Sequence, residues 1–127
     1  MASVVKFTRD HEWVRVEGNT AAVGITEHAV HELGDVIFVE LPEVGLSANQ
    51  GEKLAVVESV KAVADVFAPV GGVVTGVNDA LTGKPDLLNE DPMGEAWIAK
   101  LEIANMGELD GLMDADEYEA FLKEEGD

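Results

Sequence analysis

A mainly β fold is what this sequence predicts, built of antiparallel hairpins with short helices at its edge. Three observations carry that reading. Short runs rich in β-branched residues recur along the chain, turn residues such as Gly18-Asn19 and Gly71-Gly72 separate them, and a convincing amphipathic helix emerges only after residue 110.

Taken in order, Trp13 to Glu17 alternates apolar with polar, Gly18-Asn19 makes a turn, and Thr20 to Ile25 resumes as a second strand. Thr26 can cap a short helix, Glu27 to Leu33, which Gly34 ends in the C′ role. Asp35 opens a strand, Val36 to Val39, closed by Pro42; its near-continuous apolarity predicts burial on both faces. Glu43 to Glu52 reads as a loop. Lys53 to Phe67 reads as two strands joined by a tight turn, with Lys61 at the tip. Pro69 and Gly71-Gly72 turn the chain into a strand at Val73 to Val77. Asp35-Val-Ile-Phe38 and Asp65-Val-Phe67 are alike, a faint sign of two quasi-equivalent halves.

Asn78 to Gly94 reads as turns around a helical piece at Asp86 to Asn89, and Ala96 to Ile103 as the last strand. The final 26 residues, 102 to 127, carry ten acids and one base. Asp114 is placed to cap a helix in which Tyr118, Phe121 and Leu122 follow i, i+3, i+4 spacing, which predicts an aromatic edge docked on the β core. The expectation is one domain over residues 1–127, with a core at about 10–103 and an acidic helical segment at about 106–125.

Composition narrows function. The chain has 26 acidic and 8 basic residues and a net charge of -18, which opposes binding to nucleic acid or to an anionic membrane surface. The first residues lack the apolar core of a secretory signal, so bacterial cytoplasm is the expected location, with the mitochondrial matrix the alternative for a processed organelle protein. Cysteine is absent, which removes thiolate nucleophiles and sulfur ligands and requires any sulfur chemistry to arrive on a cofactor. Neither a phosphate-cradling glycine motif nor a GxSxG nucleophile motif occurs.

Glu27, His28, His31 and Glu32 share one short helix, but HExxH spacing is missing and His11 is the only other histidine. A solvated polar face is the expectation there, with no metal ligands and no catalytic residues; a small metal hydrolase using His28 and His31 is the competing reading. Lys61 alone would be an ordinary turn lysine.

Its neighbours change that. Glu58-Ser-Val-Lys-Ala62, followed by Asp65-Val and Pro69-Val-Gly-Gly72-Val, resembles the lipoyl-attachment segment of the H proteins of the glycine cleavage system. The resemblance extends through His11-Glu-Trp-Val14, Val23-Gly-Ile-Thr26, Leu33-Gly-Asp-Val36, Phe38 to Gly45, Pro85 to Asn89 and Pro92 to Trp97, covering nearly the whole chain. Met93 and Ala96 depart from the family's usual aromatic and glycine. Biotin carriers would carry methionines beside the lysine, and lipoyl domains of 2-oxoacid dehydrogenases, the nearest alternative, usually show Asp-Lys-Ala; Val60 and Ala62 flank Lys61 here.

The resemblance implies a lipoyl-type barrel-sandwich of two small antiparallel sheets, with lipoate joined as an amide to Lys61 by a lipoylating enzyme. It implies a monomeric carrier and not an enzyme. Such a carrier takes an aminomethyl group from a pyridoxal-phosphate glycine decarboxylase to a tetrahydrofolate-dependent aminomethyltransferase, and dihydrolipoyl dehydrogenase reoxidises it. It further implies a surface cleft that shelters the loaded arm, for which Glu12, Ser59 and Asp65 are the matched candidates.

Overall fold

Strand-forming runs and their turn residues fold as nine strands and four short helices among residues 4–125, the range described by this computed structural model. Residues 1–3 and 126–127 of the expected domain lie outside it. In chain order the elements are β1 (Val4–Phe7), β2 (Glu12–Glu17), β3 (Thr20–Ile25), α1 (Glu27–Leu33), β4 (Val36–Glu40), β5 (Ser47–Ala48), β6 (Lys53–Ser59), β7 (Val63–Phe67) and β8 (Gly72–Val77). Then come α2 (Ala80–Gly83), α3 (Leu87–Glu90), β9 (Ala99–Ile103), a 3-10 turn (Met106–Gly111) and α4 (Ala115–Glu124).

The strands form two antiparallel sheets, one of six strands in the order β1-β2-β3-β9-β8-β5 and one of three in the order β4-β6-β7. The expected two-sheet architecture is therefore observed. Buried residues from both, among them Val14, Val23 and Leu101 on the larger and Val39, Val57 and Val66 on the smaller, join in one apolar cluster. No helix among the described residues is long and apolar enough to cross a membrane.

Side chains alternate across a strand, so Trp13 points away from the cluster that Val14 and Val16 enter. It is nonetheless fully buried, because a second layer covers it: its indole N–H donates to the Pro92 carbonyl at 3.0 Å, and the Arg15 guanidinium lies over its ring at 4.8 Å. Phe7 and Tyr118 complete that second cluster, their rings stacked at 4.6 Å. The capping box predicted by Asp114 is present, with Glu117 as its partner, and Tyr118 is the buried residue of α4. Paired backbone bonds between Phe7 and Met113, at 2.8 and 2.9 Å, bring the chain onto the free edge of β1 just before α4 starts. That contact covers an edge otherwise open to pairing.

The expectation for β4 fails. Ile37 and Phe38 are about half exposed, while Val36 and Val39 are buried. β4 is an edge strand, and an irregularity between Val36 and Phe38 in its pairing with β6 puts two successive side chains outward. Apolar composition alone does not distinguish this from a strand buried on both sides. The similar segments at Asp35 and Asp65 become the two outer strands of one sheet, either side of β6. The last strand is shorter than predicted: Ala96 and Ile98 are buried but lie outside the ladder, held by bonds such as Ile98 N–H to the Val23 carbonyl at 2.7 Å. β1, β5 and α2 were not expected; each is only two to four residues long, too short to show a period.

Gly24 faces Trp13 across the β2–β3 ladder, and a Cβ there would lie 2.7 Å from three atoms of the indole. With Trp13 fixed by its ring and N–H contacts, the indole has little room to yield. Gly24→Ala is predicted to lower unfolding stability by about 1–3 kcal/mol in urea denaturation, as overpacking does.

Candidate functional site

The β6–β7 hairpin pairs Glu58 with Val63 and Val57 with Ala64, which leaves Ser59 to Ala62 as its connection, with Val60 and Lys61 as the two-residue tip inside the Ser59 N–H to Ala62 carbonyl bond. Tips of this length usually rely on glycine or asparagine at positive φ, yet among the described residues His11 is the one non-glycine with positive φ. Ser59 supplies the alternative. Its hydroxyl oxygen accepts the Lys61 and Ala62 N–H groups at 3.3 and 3.0 Å, and its backbone N–H donates to the Ala62 carbonyl at 2.8 Å. This use of a serine hydroxyl as local acceptor fixes a turn that the backbone alone would leave loose.

A second set of bonds ties the tip to the body. Val60 N–H donates to the Asp35 carbonyl at 3.0 Å, and Asn89 of α3 grips the same segment by accepting from Val36 N–H at 2.9 Å and donating to the Gly34 carbonyl at 2.8 Å. Gly34, at φ 78°, ends α1 directly beneath the lysine. A Cβ there would sit 3.6 Å from Lys61 Cε, so the lysine stem rests on bare backbone. Lys61 is exposed, with Val60 and Val63 exposed beside it.

Glu12 and Asp65 both line a groove of about 210 Å³ beside the hairpin. Ile25, Ala29, Leu33, Val57 and Val66 give it apolar walls, and Asp10 and Glu32 add two further carboxylates. Such a lining suits an aliphatic chain that ends in a cation. Glu12 is only 2% exposed, and its two oxygens are engaged: Thr8 Oγ1 donates to one at 2.6 Å and Phe67 N–H to the other at 3.0 Å. Burial raises its carboxyl above the ordinary value, those two hydrogen bonds oppose the shift, and nearby Asp10 adds to it. Asp65 is exposed. Ser59 belongs to the turn and does not line the groove.

His28 and His31 do not converge. His31 lines a separate groove with Gly34, Asp35 and Asn89, whereas the His28 ring packs 4.5 Å from that of His11. His11 Nδ1 meets the Tyr118 hydroxyl at 2.8 Å, and the same hydroxyl meets Thr26 Oγ1 at 2.8 Å. Burial raises the phenol above its ordinary value, so Tyr118 keeps its proton; the Thr26 bond opposes the shift and Glu125 adds to it.

The sequence pattern of the Glycine cleavage H-protein family matches residues 5–125. The chain belongs to that family. Within it, the chain is 58% identical to the glycine cleavage system H protein of Caulobacter vibrioides over 118 residues, covering 93% of this chain and 98% of that one. It is 55% identical to that of Symbiobacterium thermophilum over 120 residues, 94% of each. A crystal structure of the H protein from Mycobacterium marinum superimposes with a TM-score of 0.87 at 35% identity, over 97% of this chain and 99% of that one.

For an H-protein family member, the groove contains residues that motif matching missed. Asp10 and Glu32 lie 22 positions apart and meet only because β2, β3 and α1 fold together. Gly34 was legible as a helix stop; its place under Lys61 was not. Because Glu12 has a raised folded-state pKa, its contribution to stability is complete below the ordinary value of 4.5 and is lost as pH rises through the raised value. Relative to wild type, Glu12→Gln should therefore gain stability as pH rises from 4.5 towards neutrality. Glu12→Ala, which strands the Thr8 and Phe67 donors, should cost about 1–3 kcal/mol in urea denaturation.

Proposed function

We propose that Lys61 is the lipoylation site of this chain and that the whole of residues 1–127 acts as one carrier unit. The observation that carries the reading is the exposed amine at a hairpin tip clamped by Ser59 and Asp35. An amine that several enzymes must reach in turn needs exposure, and an arm that must be aimed needs a fixed root. Both conditions are met at one residue, and the family gives the group its identity. When joined as an amide to Lys61 Nζ, lipoate supplies a dithiolane able to accept an aminomethyl group and to be reoxidised.

The chain's own part is positional. The Ser59 hydroxyl and the Asp35 carbonyl hold the tip, Gly34 leaves room for the lysine stem, and Val60 and Val63 flank it as apolar contacts for visiting enzymes. The groove begins at Ala64, the second residue of β7 and three positions after Lys61, or roughly 10 Å away at the strand rise. Its apolar walls accept the methylenes of an arm, and Asp10, Glu32 and Asp65 offer charge-assisted acceptors to a terminal ammonium. Glu12, with both oxygens engaged, shapes this groove by holding Thr8 and the end of β7.

In this reading the partners are a lipoylating enzyme, a pyridoxal-phosphate glycine decarboxylase, a tetrahydrofolate-dependent aminomethyltransferase and dihydrolipoyl dehydrogenase. The chain is a substrate of each and not itself a catalyst. Intact mass after incubation with a lipoylating enzyme tests the site. Wild type should gain one lipoyl group and Lys61→Arg none; a gain that survives in Lys61→Arg, on Lys53 for example, would overturn it.

A further inference from the structure

His11, His28 and Glu125 come from three distant parts of the chain: the turn before β2, α1, and the residue that ends α4. One nitrogen from each imidazole and one carboxylate oxygen lie within 4.8 Å of one another, and His11 Nε2 is 3.5 Å from Glu125 Oε1. We propose that these three side chains form a binding site for a divalent transition-metal ion of the zinc class, one that ties the end of α4 to α1 and to the turn before β2.

The donor set fits that class. Two imidazoles and a carboxylate suit zinc, and a three-ligand site leaves a position for water. Tetrahedral ligation at about 2.0–2.1 Å sets ligand atoms about 3.3 Å apart, so the cluster needs to close by up to about 1.5 Å on its longer sides. The burial differs usefully among the three. The His11 and His28 side chains are 17% and 16% exposed, whereas Glu125 is 41% exposed, so the carboxylate can swing onto an ion arriving from solvent.

The surroundings support the same assignment. A metal-binding imidazole commonly donates its other N–H to a fixed acceptor, which sets the tautomer. His11 Nδ1 has such a partner in the Tyr118 hydroxyl, which in turn meets Thr26 Oγ1. With Nδ1–H donating to the phenol oxygen and the phenol donating to Thr26, His11 Nε2 is left with its lone pair towards Glu125. The positive φ of His11, 69°, is a strained setting for a non-glycine residue, and bonds on both sides hold it: His11 N–H to the Thr8 carbonyl at 3.2 Å and Thr26 N–H to the His11 carbonyl at 2.9 Å. Glu32 stands 3.5 Å from His28 Nε2, and the net charge of -18 favours a dication near these carboxylates.

His31 is not part of the cluster, although it shares α1 with His28. Lys61 is not part of it either, so the site does not depend on the lipoylation reading; because His11 and Glu32 also line the groove beside the hairpin, it is tested on the full chain with Lys61 unmodified. Chelator-treated protein is titrated with Zn²⁺ by calorimetry, with native mass spectrometry for stoichiometry. One ion per chain is expected, with affinity reduced tenfold or more in His28→Ala and in Glu125→Gln and unchanged in His31→Ala. Glu125 is exposed, so its variant will fold. Absence of binding, or affinity unaltered by either His28→Ala or Glu125→Gln, or lost equally in His31→Ala, would overturn the site.

Discussion

The acceptance of two backbone N–H groups by the Ser59 hydroxyl is the interaction on which the arrangement around Lys61 depends. A two-residue tip of valine and lysine has none of the residues that turn easily, and Val60 and Lys61 stay at negative φ. Without a side-chain acceptor, the Lys61 and Ala62 amides would have only water to bond. The hydroxyl closes the turn locally, and the Val60 to Asp35 bond then joins it to a segment that Asn89 holds in place. The lysine is thus exposed along its side chain and fixed at its root.

The acidity of the chain places a second demand on the structure. Residues 102–127 concentrate ten of the acids, and like charges on one surface repel. What holds α4 against that repulsion is specific: the Asp114–Glu117 capping box, the Phe7–Met113 bridge and the Phe7–Tyr118 stack. The box is internal to α4 and the other two tie the helix to Phe7 of β1, so the helix end at Glu125 returns to the histidines beside the groove. The surface left outside is strongly negative, which suits reversible encounters with basic patches on several enzymes in turn.

The strands and the long helix were legible because each carries a local code. The hairpin from Lys53 to Phe67, the Thr26 and Asp114 caps and the Gly34 stop all rest on residues within one or two turns of each other. Lys61 at the tip followed from that code, and its meaning came from the motifs around it. What escaped depends on tertiary packing: β4 reads as doubly buried until its edge position and irregular pairing are seen, and the second layer that buries Trp13 has no local signal. The approach of Glu125 to His11 spans 114 positions, and helix spacing directed attention to His31 instead. Ser59 was singled out for a cleft and found in the turn, where its neighbour relationship to Lys61 was the readable signal.

A carrier role for Lys61 is tested most directly by glycine-dependent carbon dioxide exchange on a glycine decarboxylase, with this chain added in lipoylated and in unmodified form. Exchange should rise with the lipoylated chain and stay at the rate of the enzyme alone with the unmodified one. Equal exchange from the two forms would contradict a role for Lys61 as the root of a working arm.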